Sequence, residues 1–221
     1  MTRAAAVSQR RLTLPNLISL ARIAACPLLF WLAIQPGAEA GFWAFGLFIV
    51  AAVSDLWDGY LARKHGWITD VGKLLDPLAD KLLLVATLIP FYLVSHRPGA
   101  LDDVPGWGPL PLWVLVVIFG RELTITVFRA YAAGRGVVIA AGRSGKLKAL
   151  VQSLFAGGLL FWYPISRTAR ARGWESTGAW EIWSVFNRSW VWGMLSLALV
   201  LTIYSLIDYL WSYRTLMGAR D

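Results

Sequence analysis

Two apolar runs, residues 17–34 and 190–209, approach or reach the roughly 20 residues with which a helix crosses a hydrocarbon core about 30 Å thick. Four shorter runs lie between them, at 42–53, 82–94, 110–120 and 149–162. A chain patterned this way folds against lipid rather than around a core shielded from water. Its mean hydropathy is +0.57 and only 15% of its residues are charged, against about 25% in a soluble domain. The four middle runs become full spans only when each is extended through the polar residues beside it, LARK, DPLADK, RELTITVFRAY and GKLKALVQ. That extension predicts an all-α integral membrane protein with six transmembrane helices. No repeat, linker or low-complexity tract divides the chain, so residues 1–221 are read as one domain.

Residues 1–16, MTRAAAVSQRRLTLPN, carry Arg3, Arg10 and Arg11 but lack the short apolar core and small-residue cleavage site of a removable signal peptide. They are expected to form an amphipathic helix in the membrane interface. The net charge of +8 is compatible with nucleic acid, but basic residues that flank membrane spans are drawn to anionic headgroups, and no nucleic-acid partner is expected. The single cysteine, Cys26, falls inside the first span and is read as core packing. Trp31, Trp43, Trp107, Trp113, Trp162, Trp190 and Trp211 lie near span ends, where indole rings favour the headgroup zone. His65 and His96, at loop ends, are read as interfacial, and Asp208 is left unassigned.

With a cytoplasmic N-terminus, six crossings bring Arg63, Lys64, Lys73, Arg135, Arg143, Arg214 and Arg220 to the inner face together with the N-terminal arginines. Arg97, Arg167, Arg170, Arg172 and Arg188 fall outside, with residues 164–186 expected as an interfacial outer loop. The excess favours that orientation, in the cell (inner) membrane. Polarity follows the apolar part in helices 2 and 4 and precedes it in helices 3 and 5. Because alternate helices run in opposite directions, the four polar halves share one side and predict a polar chamber opening to the cytoplasm.

Within that chamber Asp55 and Asp58 are three residues apart, and Asp76 and Asp80 four apart, so each pair shares a helix face. The turn near 65–68 is short, so the two helices are expected to pack antiparallel with the acid pairs facing each other. Four unpaired aspartates at membrane depth would cost on the order of 10–14 kcal/mol, at roughly 2.5–3.5 each. Hard oxygen donors without cysteine or an obligatory histidine point to Mg²⁺, with Mn²⁺ as the substitute, and four carboxylates suit two ions. Asp70 is expected to cap helix 3. Gly59, directly after Asp58, suggests close approach of a ligand to the backbone, and Arg63 offers a planar fork suited to phosphate oxygens. Carboxylates, divalent ions and an arginine together describe a diphosphate site.

The spacing Asp55-x2-Asp58-Gly59-x2-Ala62-Arg63-x8-Gly72-x3-Asp76-x3-Asp80 resembles, without a departure, the signature of the CDP-alcohol phosphatidyltransferase family. LPNLISLAR at the first helix and GREL…FRAYAAGRGVVIAAGRSGKLKALVQ in helices 4 and 5 are similar to its phosphatidylglycerophosphate synthase branch, whereas the last third carries no such motif. The resemblance implies transfer of a phosphatidyl group from CDP-diacylglycerol to an alcohol, with release of CMP. It implies that Asp55, Asp58 and Asp76 hold one metal ion and Asp55, Asp76 and Asp80 the other, with Asp80 also the base. Gly59, Ala62, Arg63, Thr69 and Gly72, with Asn16 and Ser19 from helix 1, would line the nucleotide and diphosphate. It also implies a homodimer; Gly157 and Gly158 allow close helix approach, for either internal packing or a dimer seam.

Arg121, Arg129, Arg143, Lys146 and Lys148 add cations to the same side. Arg121 and Arg129 are eight residues apart, about two turns, and so project from a similar side of helix 4. Such an arginine needs an anion: Glu122 is the structural partner and a phosphate monoester the functional one. The cluster therefore favours an acceptor that carries its own phosphate, glycerol 3-phosphate, with a cardiolipin synthase as the alternative. A cation transporter would explain acids at membrane depth but not the glycine, alanine and arginine positions. A structural membrane protein would have to balance several desolvated ion pairs at once.

Overall fold

Lipid offers no hydrogen bonds to a peptide group, so an apolar chain in it folds as helices that close their own backbone bonds. The computed structural model describes residues 13–67, 69–97, 103–135 and 143–213, and within these the side chains of Arg63, Asp70, Lys73, Arg143, Ser144 and Lys146 lie outside the described set. The expected N-terminal surface helix falls almost wholly in residues 1–12, outside the described residues.

Among the described residues there are six helices: α1 Leu14–Ala33, α2 Ala38–His65, α3 Asp70–Ser95, α4 Leu112–Gly134, α5 Arg143–Arg172 and α6 Gly178–Ser212. Five of them are long and apolar enough to cross a membrane. The sixth, α4, has 23 residues, about 35 Å of helix, but its apolar run is interrupted by Arg121, Glu122 and Arg129. Each middle helix does extend through its polar neighbour, as α2 does to His65 and α5 from Arg143.

The chain breaks are set locally. Gly66 ends α2 in the left-handed conformation at φ +67°, where a side chain would be strained. Thr69 begins α3, its hydroxyl accepting from the Gly72 N–H, so Thr69 is the cap and Asp70 the first helical residue; the expected capping by Asp70 is corrected. Residues 164–186 are also not the expected loop. They are helical apart from 173–177, where left-handed Gly173 and a 3-10 turn at Trp174–Ser176 lead into Thr177, which caps α6. The polar residues there bond to backbone carbonyls, within the helix and at a neighbouring turn. Thr168 donates to the Pro164 carbonyl, and Arg167 reaches the Gln35 and Gly37 carbonyls at the α1–α2 turn.

The helices form a ring in which α1 packs on both α2 and α3, α2 on α5, α5 on α6 and α6 on α4, with α3 meeting α4 more thinly. The expected direct packing of α2 on α3 is therefore corrected: they touch sparsely, and α1 holds the two together. Leu29, Phe48, Phe91, Phe155, Leu159, Val191 and Leu195 fill the interior. Trp43, Val50, Val116, Leu123, Val200 and Ile182 are exposed, while Asn16, Arg22, Asp58, Lys148, Gln152 and Thr202 are buried. Apolar side chains outside and charged ones inside is the arrangement that lipid selects.

Close approach makes one glycine testable. A Cβ on Gly41 would stand 2.9 Å from Pro164 Cβ, on a rigid ring, whereas a Cβ on Gly46 of the same helix meets nothing within 4 Å. Gly41→Val is expected to lower stability by about 1–3 kcal/mol through overpacking, with Gly46→Val nearly unchanged. Thermal unfolding of the two variants in the same detergent checks this.

Candidate active site

The start of α1 presents Asn16, Ser19 and Arg22 at a three-residue spacing, and all three are buried. Asn16 Nδ2 donates to Thr69 Oγ1 at 2.9 Å and Thr69 Oγ1 lies 3.1 Å from Asn16 Oδ1, clasping α1 to the start of α3. Gly72 makes the clasp possible, since a Cβ there would stand 2.7 Å from Asn16 Oδ1. One turn further along α1, Ser19 Oγ is 2.8 Å from Asp76 Oδ1 and 3.3 Å from Asp58 Oδ2, linking the two acid-bearing helices.

Arg22 completes the junction. Its guanidinium donates to Asp55 through Nη1 and to Asp58 through Nη2 at 2.6 Å, and Nη1 lies 3.5 Å from Asp80 Oδ1. The four aspartates of the spacing motif thus gather about one short stretch of α1. Asp58 is enclosed at its base, while the side chains of Asp55 and Asp80 are 41% and 56% exposed and form an open rim. Gly59 and Ala62 follow on α2 toward the turn, where the Ala62 carbonyl accepts from the Trp67 N–H at 3.0 Å. The side chain of Arg63, expected at the diphosphate, lies outside the described residues.

The donor chemistry fits a hard divalent cation, because four carboxylates around a single guanidinium leave negative charge in excess on the open side. Among the described residues no group of three or more such ligands stands ready as a finished cation cage. Arg22 instead draws Asp55, Asp58 and Asp80 onto its own N–H groups.

A second polar centre joins α4, α5 and α6. Lys148, almost fully buried, pairs with Glu122, which also accepts from Arg121 Nη1 at 3.1 Å. Arg121 Nε donates to Ser205 at 3.2 Å, and Gln152 donates to Thr202 at 3.0 Å. Arg129 lies over the Tyr209 ring at 5.8 Å, and its Nε has no hydrogen-bond partner. The Lys146 side chain lies outside the described residues. Lys81, next to Asp80, bridges toward this centre by donating to Thr126 on α4 at 2.7 Å. These contacts run from the α2–α3 turn to about the middle of the ring, so the polar halves do share one side, and α1 and α6 add theirs. The residue that sequence reasoning overlooked is Arg22. Its signal was present, since a lone arginine inside an apolar run requires a partner.

An all-helical membrane bundle with acids gathered at one open end is the architecture in which the motif sits. The chain belongs to the CDP-alcohol phosphatidyltransferase family, whose profile matches residues 12–204. A CDP-diacylglycerol–glycerol-3-phosphate 3-phosphatidyltransferase of Bacillus subtilis is 39% identical over 159 residues, covering 66% of this chain and 76% of its own length. A probable phosphatidylglycerophosphate synthase of Mycobacterium tuberculosis (strain H37Rv) is 38% identical over 157 residues, covering 69% and 67%. A cardiolipin synthase (CMP-forming) of Streptomyces coelicolor is 37% identical over 123 residues, covering 54% and 51%.

The second centre yields a test. Glu122→Leu leaves Lys148 and Arg121 at depth without their carboxylate, and a loss of about 3–5 kcal/mol is expected from breaking such a pair. Adding Lys148→Met to Glu122→Leu should restore most of it. Reversible unfolding in mixed micelles, read by tryptophan fluorescence, measures both.

Proposed function

We propose that this protein transfers the phosphatidyl group of CDP-diacylglycerol to sn-glycerol 3-phosphate, giving phosphatidylglycerophosphate and CMP. The observation that carries the proposal is the gathering of Asp55, Asp58, Asp76 and Asp80 around Ser19 and Arg22 at the same end of the bundle as a second, cationic centre. The names of the Bacillus and Mycobacterium relatives support the acceptor. In this reading Asp55, Asp58 and Asp76 would hold one Mg²⁺ and Asp55, Asp76 and Asp80 a second, with Mn²⁺ an acceptable substitute. The bound ions supply charge neutralisation to the diphosphate and to the departing CMP.

Asn16, Ser19, Gly59, Ala62, Arg63, Thr69 and Gly72 form the nucleotide side, where Gly59 and Ala62 let the ligand approach the α2 backbone and Gly72 makes room for the Asn16–Thr69 clasp. Asp80, on the open rim, takes the proton of the acceptor hydroxyl as that oxygen bonds to the β-phosphorus. The bond between that phosphorus and the bridging oxygen breaks, and CMP leaves with the electron pair. Arg121, Arg129, Lys146 and Lys148 orient the acceptor's own phosphate, with Glu122 holding Arg121 and Lys148 in place. The acid end faces the cytoplasm of the cell membrane, and the protein acts as a homodimer.

A second reading is favoured by the Streptomyces relative: phosphatidylglycerol as acceptor and cardiolipin as product. Purified protein given CDP-diacylglycerol, Mg²⁺ and a panel of acceptors separates them. Fastest CMP release is expected with glycerol 3-phosphate, and release only with phosphatidylglycerol or inositol phosphate would overturn the assignment. Asp80→Asn should lower the rate by about 10²–10⁴-fold while the helical circular dichroism persists.

A further inference from the structure

Arg22 engages one oxygen each of Asp55, Asp58 and Asp80, and its own side chain has 0% exposure. Each carboxylate keeps a second oxygen, but a divalent cation drawn to the same cluster would meet the guanidinium's positive charge there, so the two compete for the cluster. The three contacts are unequal. The contact to Asp58 is buried at 2.6 Å, whereas Asp55 and Asp80 stand on the exposed rim, Asp80 at the longest distance of 3.5 Å. Asp76 is held separately, by Ser19 at 2.8 Å. Since α2 and α3 touch sparsely, a cluster of four acids across them would spring apart without a positive charge from α1.

We propose that Arg22 is the resident counter-ion of the acid cluster. It keeps the carboxylates of α2 and α3 together while no divalent ion is bound, and it yields the rim carboxylates Asp55 and Asp80 when one arrives while keeping Oδ2 of Asp58, whose other oxygen is left to the ion. Arg22 is thus a positioning residue, and the ion's measured affinity includes the work of displacing it. The inference rests on the metal reading of the proposed function and deepens it.

The test is Mn²⁺ binding to the full chain in lipid nanodiscs, followed by the electron paramagnetic resonance of free Mn²⁺. Relative to the unmodified protein, Arg22→Met should bind Mn²⁺ about tenfold more tightly, because the ion then displaces no guanidinium and relieves the mutual repulsion of acids that nothing else neutralises. The same variant should lose more thermal stability when a chelator removes the ion. Arg22→Lys, whose ammonium lacks the planar fork, should fall between the two. Lys64→Met removes an exposed cation at the same end, which lies over Tyr60, and should shift affinity by no more than about twofold through the screened field.

Equal or weaker Mn²⁺ binding in Arg22→Met overturns the inference, as does an equal tightening in Lys64→Met. If Arg22→Met does not fold, unchanged affinity in Arg22→Lys overturns it alone. Mn²⁺ binding by the unmodified protein with unaltered variants sinks only the role of Arg22. No binding by the unmodified protein sinks the metal reading with it.

Discussion

A charge at membrane depth finds no partner in lipid, and among the described residues the central charges are answered from other helices. Arg22 of α1 meets Asp55 and Asp58 of α2 and Asp80 of α3, while Lys148 of α5 meets Glu122 of α4. Arg121 of α4 reaches Ser205 of α6, and Gln152 of α5 reaches Thr202 of α6. Between helices in a bilayer the hydrophobic effect contributes little, so packing and polar contacts of this kind decide which faces meet. The contacts that fix the register of the bundle are therefore the same ones that build the site.

The two ends of the ring are finished differently. Away from the acids, Arg167 ties α5 to carbonyls at the α1–α2 turn, and the Trp192 indole donates to the Pro105 carbonyl at 3.0 Å. Trp107 stacks on Trp192 with ring centroids 4.4 Å apart, and Phe91 meets Tyr163 edge-on at 5.4 Å. That end is closed by aromatic rings and backbone acceptors. At the other end carboxylates and bases gather around α1, and the side chains of Asp55 and Asp80 stand open.

Much of this was legible in the residues. The six apolar runs, their extension through polar neighbours and the convergence of polar halves all follow from periodicity and alternating direction. The fixed spacing from Asp55 to Asp80 identified the family by itself. The partner of those acids was hidden because Arg22 lies in a run otherwise read as membrane span, and no local pattern states which helix a side chain will face. Residues 164–186 misled for a related reason. Their arginines and threonine look like loop residues, yet Arg167 and Thr168 bond to backbone carbonyls, and only Gly173 and its neighbours break the helix. The replacement of Asp70 by Thr69 as cap is a one-residue distinction that composition does not resolve.

The position of Arg22 on the first helix bears on how the chain is made. As the protein emerges from the ribosome, α1 reaches the bilayer with a guanidinium whose partners, Asp55 and Asp58, are still 33 and 36 residues behind. An arginine at the centre of a lone helix raises the free energy of insertion by about 2.5–3.5 kcal/mol. The pairing of Arg22 with Asp55 and Asp58 offsets that cost only once α2 has been made, so α1 is held more firmly in the bilayer after the following helix has joined it.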